Sequence, residues 1–166
     1  KESLDIYEEY LLQLKNIEKG HIHSTYSTLN LNGFADDMDY YAKNHPDWSV
    51  SFKFVESGEY CPHYGPDWYE QWILDEWNSK ERLPAAQVRI DRAKNIIDRN
   101  RIAPEEKNHA WYLFLKKTHE LDKYYNSNLG DYNPELDKVM TENDDAWKWT
   151  FGTNGPQHPE VNKNEV

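Results

Sequence analysis

The sequence contains a single cysteine, Cys61, in 166 residues. An internal disulfide is therefore excluded, which rules out a small secreted scaffold built on disulfides and favours a reducing intracellular compartment. No apolar run approaches the ~20 residues that a membrane-spanning helix needs, so we expect a soluble protein or one that is peripheral to a membrane. The first residue is Lys1 and not Met, which is compatible with removal of a targeting presequence.

Aliphatic side chains and positive charges are scarce as well. Leu, Ile and Val together number 27, and 19 Lys and Arg face 30 Asp and Glu, for a net charge of -11. This negative charge opposes nonspecific attraction to phosphate backbones, so no nucleic acid is expected as a partner. The sequence also lacks a Gly-rich phosphate loop, a Ser-centred nucleophile elbow and a supported Cys and His dyad, so we predict no catalytic residue and no enzyme.

What the chain has in excess is aromatic side chains, with seven Trp, twelve Tyr and five Phe. Trp and Tyr combine a large contact area with a polar tip, which suits surfaces shared with another molecule. With so few aliphatic residues the chain is expected to form a thin core. Burial against a partner would supply the apolar contacts that this core lacks. The composition therefore favours an interaction protein.

The apolar periodicity predicts a mainly α-helical fold with four to five amphipathic helices. Pro66, Pro84 and Pro104 stand where helices favour proline as the first residue, and apolar residues recur after each of them at helical spacing. The last of these helices is expected to end near Gly130. Its predicted apolar stripe contains Trp111, Phe114, Leu121 and Tyr125. Further helices are predicted over residues 3–19 and 34–44.

Alternating polar and apolar residues over 48–55 predict a half-buried β-strand. We expect this strand to pair with residues 21–32 as one short β-hairpin, which a helix must cover to be stable. Residues 1–130 then form a single mainly helical domain. Residues 131–166 are expected to form an extended, Trp-containing tail, because the end of the chain has little to bury.

One set of side chains has the chemistry of a metal site. Residues two apart on a strand point to the same face, so His21 and His23 could meet a second pair as four nitrogen and sulfur ligands of zinc. The second pair consists of Cys61 and His63. The separation of the two pairs matches no ordinary zinc-finger spacing, and exposed or hydrogen-bonded histidines are the alternative. No other cofactor is predicted.

Two kinds of side chain are candidates for contacts with a partner. The helix after Pro66 has an aromatic face, and the segment 80–101 is locally basic in an acidic chain. Aromatic and Arg side chains dominate the energetics of measured interfaces, although the same residues could form the core or neutralise the chain's own acidic helices. The predicted interface anchors are Trp68, Trp72, Trp77, Trp147, Trp149, Arg89, Arg92 and Arg99.

One segment of the chain resembles a known family. Arg82-Leu83-Pro84 is followed by Arg89-Ile90 and Arg92-Ala93, and then by Ala103-Pro104-Glu105-Glu106 before a long helix. Across residues 80–120 this pattern resembles the small helical matrix-side subunit of the mitochondrial ubiquinol-cytochrome c reductase. The resemblance implies a noncatalytic accessory subunit that braces an inner-membrane respiratory complex, with no cofactor ligand.

The sequence therefore predicts a noncatalytic accessory subunit of a larger protein assembly. With the resemblance, the expected assembly is a mitochondrial respiratory complex, and the chain is expected to be peripheral to the inner membrane and bound to other protein subunits. Two alternatives stay open. An acidic binding inhibitor that mimics nucleic acid fits the net charge, and a small zinc-dependent protein fits the four candidate metal ligands.

Overall fold

The structure, a computed structural model, describes residues 20–99, 102–144 and Trp147. It confirms that the fold is mainly helical. The predicted helix over 3–19 lies outside the described residues. In chain order the elements are β1 (His21–Tyr26), a 3-10 turn (Leu31–Gly33), α1 (Phe34–Asn44), β2 (Ser49–Phe54), a 3-10 turn (Pro62–Tyr64), α2 (Asp67–Asn78), α3 (Pro84–Arg99), α4 (Pro104–Tyr125), α5 (Leu129–Tyr132) and α6 (Pro134–Asn143).

Prolines open several of the helices, as the sequence predicts. Helix α3 begins at Pro84, α4 begins at Pro104, and α2 begins one residue after Pro66. Proline is favoured at these positions because its fixed φ suits a helix and its missing N–H would have no helical partner in the first turn. Local chemistry thus sets where these helices start.

The long helix ends earlier than predicted. Helix α4 stops at Tyr125 and not near Gly130, because Asn126 adopts the left-handed conformation with a φ of 52°. Asparagine tolerates this conformation because its short polar side chain can hydrogen-bond locally. A capping box between Asn128 and Asp131 then starts α5. The turn between α4 and α5 is therefore built by asparagine, and Gly130 lies inside the second helix.

The two strands pair in parallel and not as the predicted hairpin. In the β1–β2 register His21 lies opposite Ser49 and Tyr26 lies opposite Phe54, and α1 runs between the strands in the chain. The predicted pairing was right in its partners and wrong in its direction. Parallel strands need a long crossover connection, and α1 supplies it.

Aromatic rings form the centre of the core. Phe34 of α1 is fully buried, and its ring centroid lies 4.9 Å from Tyr26, 4.8 Å from Phe52 and 4.9 Å from Trp77. Each such ring buries a large area and gains further from edge-to-face contacts. The rings therefore supply, within one chain, burial that the few aliphatic residues cannot.

The domain extends past the predicted boundary at residue 130. Helix α6 buries Leu136 and Met140 fully in the same core cluster. Asn133 accepts a hydrogen bond from the Leu136 N–H and donates one to the carbonyl of Leu29. Residues 131–143 are thus part of the domain, and the predicted extended tail is wrong there because α6 has an apolar face to bury. Residues 148–166 lie outside the described part of the chain.

Candidate docking surface at the end of helix α4

The predicted Trp anchors lie in or against the core. Trp77 and Trp147 are only 1% and 4% exposed, and their indole N–H groups donate to acceptors within the chain. Trp68 and Trp72 are half-buried and pack against the same core. These four indoles therefore serve the fold of this chain, while Trp149 lies outside the described residues.

The predicted Arg anchors keep part of their charge at the surface. Arg89 is half-buried and donates to the carbonyl of Ala85 one turn earlier at 3.2 Å. Arg92 is exposed, and its guanidinium lies 5.9 Å from the centroid of the Phe52 ring, which is a cation–π distance. The side chain of Arg99 lies outside the described part of the chain.

Part of the basic segment neutralises the chain's own acidic helix. The Arg82 side chain is 2% exposed and donates to the carboxylates of Asp36 and Asp39. Lys80 also lies 2.6 Å from Asp36. Burial alone would raise the pKa of Asp36, but the hydrogen bonds from Arg82 and Lys80 bring it below its usual value. The surface therefore shows less of this positive charge than the sequence suggests.

The four predicted zinc ligands do not converge. His21 and His23 lie exposed on the outer face of the sheet, whereas Cys61 is buried and His63 contacts the inward-facing ring of Phe54. Among the described residues, no group of three or more His, Cys, Asp or Glu is arranged to hold a metal ion. The prediction of one site from all four is wrong, because the strand pleat turns the first pair to solvent, whereas Cys61 is buried and His63 is half-buried beside Phe54.

The last turns of α4 invert the usual amphipathic pattern. The buried stripe runs from Trp111, Phe114 and Leu115 to Thr118 and Asp122. Thr118 is fully buried and Asp122 is 7% exposed, although Thr and Asp are seldom buried to this degree. This end of the helix therefore turns polar residues inward.

Apolar side chains of the same turns face solvent. Leu121 is 40% exposed, Tyr124 80% and Tyr125 69%, and Tyr132 of α5 is 51% exposed. The predicted burial of Leu121 and Tyr125 is wrong, because the stripe passes through Asp122 instead. These four side chains, which we call the aromatic corner, are four of the six large apolar side chains that are exposed in the described residues.

Asp122 holds the aromatic corner in place. Its Oδ2 accepts a hydrogen bond from the Leu129 N–H at 3.1 Å, and its Oδ1 accepts one from the Tyr132 hydroxyl at 3.2 Å. The main-chain carbonyl of Asp122 also accepts from the Ser127 N–H at 2.9 Å. Helix α5 is thus fastened to the end of α4, and the exposed rings stand on a fixed scaffold.

The surface around the aromatic corner carries charges of both signs. Burial raises the pKa of Asp122, although the two hydrogen bonds that its carboxylate accepts lower it, and this group faces inward. Two exposed carboxylates, Glu120 of α4 and Asp131 of α5, lie among the exposed lysines of this region, and Lys117 pairs with Glu120 at 3.1 Å. The lysines are Lys116, Lys117 and Lys123. The corner is thus close to neutral on a chain whose net charge is -11.

The geometry of the aromatic corner suits binding. The rings of Tyr124 and Tyr125 meet edge to face with centroids 4.9 Å apart, so they present one continuous surface. Tyrosine offers a rigid, amphipathic contact area at low cost in side-chain entropy. A contiguous exposed apolar patch is typical of a protein interaction site.

Comparisons with family models, with curated proteins and with solved structures found no match to this chain. The resemblance of residues 80–120 to the respiratory subunit therefore stays a prediction from the sequence. Within the described residues, none of the helices combines the length and the apolar character that crossing a membrane requires.

Proposed function

We propose that this chain is a noncatalytic subunit of a larger protein assembly and that it binds a neighbouring subunit through the aromatic corner. The observation that carries this proposal is the inversion of α4, which buries Asp122 while leaving Tyr124 and Tyr125 in solvent. Local rules of folding are most often broken at functional sites. A partner that covers the rings would give this segment the apolar burial that it lacks.

Charge favours a different protein over a second copy as the partner. In a symmetric dimer the same patch meets itself, so two chains that each carry a net charge of -11 would be brought together. Like charges across an interface disfavour binding. An apolar groove with charged groups of both signs at its rim complements the corner, because the tyrosine rings enter the groove while the lysines and carboxylates beside them pair with opposite charges.

The resemblance of residues 80–120 supports a respiratory complex of the mitochondrial inner membrane as the assembly. On that proposal the chain lies peripheral to the membrane and contacts other subunits. Identifying the protein that contacts the aromatic corner tests this assignment, because the partner must be a subunit of that complex if the assignment is right.

Photo-crosslinking at a single site tests the proposal. Benzoylphenylalanine is introduced in place of Tyr124 in the full chain, and in place of the exposed Gln71 of α2 as the matched control. We expect one protein to be crosslinked from position 124 and not from position 71. Equal labelling from both positions, or a crosslink only to a second copy of the chain, would overturn the proposal.

Binding of the purified partner then separates docking from folding. The double substitution Tyr124→Ser and Tyr125→Ser should weaken binding at least about tenfold, because tyrosines at interfaces are frequent hot spots. Val88→Ser, at a 71% exposed position of α3, should leave the affinity unchanged. Both variants should melt like the parent, since only exposed side chains change. A double variant that binds as tightly as the parent contradicts the proposal.

A further inference from the structure

The outer face of the sheet carries two imidazoles side by side. His21 and His23 are two residues apart on β1, so the strand pleat turns both to the same face, where both are exposed. Their rings are nearly parallel, with centroids 6.5 Å apart and planes inclined by 14°. Both imidazoles are therefore open to a ligand that arrives from solvent.

Each imidazole turns one nitrogen toward the same oxygen. Ser51 of β2 lies opposite His23 in the register, and its Oγ is 2.9 Å from His21 Nε2 and 2.7 Å from His23 Nδ1. The hydroxyl can donate to one nitrogen while it accepts from the N–H of the other ring, so the direction of each contact depends on the tautomers. In the tautomers that leave both of these nitrogens unprotonated, two lone pairs lie close enough together to bind one cation.

We propose that His21 and His23 form a surface chelating site for a divalent transition-metal ion, with Cu²⁺ bound most tightly. Metal–imidazole bonds are about 2.0–2.1 Å long, and exposed rings can turn about their side-chain bonds to reach a common ion. Imidazole ligands suit copper, nickel and zinc, and affinity at a given site rises along the series to copper. The proposal is independent of the aromatic corner, which lies on other elements.

The chemistry of the site sets how the ion is held. Among the described residues no third His, Cys, Asp or Glu joins the two histidines, so water fills the other positions. Such an ion keeps exchangeable positions and is bound less tightly than in a closed four-ligand centre. This is a different site from the predicted zinc centre, which needed Cys61 and His63 as well.

Titration of the untagged full chain with CuSO₄, followed by isothermal calorimetry in a non-chelating buffer, tests the proposal. We expect His21→Gln and His23→Gln each to weaken Cu²⁺ binding at least about tenfold, because either change leaves a single nitrogen. His109→Gln is the control, since it removes an exposed histidine of α4 outside the pair. It should leave the affinity unchanged.

Electron paramagnetic resonance identifies the bound atoms. Hyperfine coupling to two imidazole nitrogens is expected in the parent, and to one in either variant. Cu²⁺ binding that both substitutions leave undiminished would overturn the proposal, as would competition by Mg²⁺ as strong as that by Zn²⁺. Thermal unfolding without metal should be the same in all variants, because the two rings are exposed, and this separates loss of the site from loss of the fold.

Discussion

Two regions of this molecule use aromatic side chains in opposite ways. In the core, Trp77 and Tyr69 are each 1% exposed and donate hydrogen bonds to main-chain carbonyls, at 3.2 and 2.9 Å. At the aromatic corner Tyr124 and Tyr125 are mostly in solvent, and their ring contact is with each other. The first set completes the fold of the chain, whereas the second set is left for another surface.

The comparison shows that aromatic content alone does not reveal whether a chain needs a partner. An indole can enter the core of a small domain when its N–H finds a carbonyl or a carboxylate, as the indole of Trp77 does with the carbonyl of Leu31. A tyrosine at the end of a helix can stay in water when the inward position beside it is taken by Asp122. The exposure of each ring, and not the number of rings, indicates the interface.

The largest expected effect is a loss of stability when a buried ring of the core is removed. Trp77→Ala removes a buried indole and leaves a cavity beside Phe34, so the free energy of unfolding should fall by about 3–5 kcal/mol. Tyr124→Ala should change it by less than about 0.5 kcal/mol, because that ring lies in solvent. Urea denaturation of both variants measures the difference. A greater loss from Tyr124→Ala would reverse the assignment of the two regions.

A smaller loss of stability is expected at the aromatic corner, where the Asp122 carboxylate joins α5 to the end of α4. Asp122→Ala leaves the Leu129 N–H and the Tyr132 hydroxyl without their acceptor, so the free energy of unfolding should fall by about 1–3 kcal/mol. Asp122→Asn keeps one acceptor oxygen and should recover part of this loss. Hydrogen exchange at the Leu129 amide should quicken in the alanine variant, and an unchanged rate would show that Asp122 does not fasten α5.

The positions of the helices could be predicted because their signals are local. Pro84 and Pro104 mark helix starts through their own backbone geometry. The strands themselves favoured the wrong direction, since alternating polar and apolar residues are typical of antiparallel sheets, whereas this parallel pair also has one face in solvent. The usable signal was the predicted helix over 34–44, because a helix between two strands favours a parallel crossover.

The aromatic corner was missed because it depends on a contact outside the helix. Residues that follow Trp111 by seven and eleven positions lie on the same face of the helix, and these are Thr118 and Asp122. A stripe chosen for its hydrophobic residues contains Leu121 instead. Only the return of the chain at the turn after α4 brings the Leu129 N–H to the carboxylate and makes an inward Asp122 stable. A pattern confined to one helix contains no information about that partner.

The smallest expected effect is a difference between the two regions in how their contribution to stability depends on pH. His63 contacts Phe54 in the core, with centroids 6.0 Å apart, and burial, together with the nearby Lys107 ammonium, lowers its pKa from the usual 6.5. The unfolded chain then binds this proton more readily than the folded chain does. The contribution of His63 to stability is therefore full above pH 6.5 and is lost as the pH falls toward the folded pKa.

At the aromatic corner the pH dependence of stability has the opposite sign. Burial raises the pKa of Asp122, so the ionised carboxylate is the less stable form in the folded state, and its cost is relieved as the pH falls through the folded pKa. Urea denaturation between about pH 7.5 and 5.5 should show that His63→Gln flattens the loss of stability, while Asp122→Asn leaves that loss in place. If the His63→Gln curve instead parallels the parent curve, acid does not act on the core through this histidine, and pH does not distinguish the two regions.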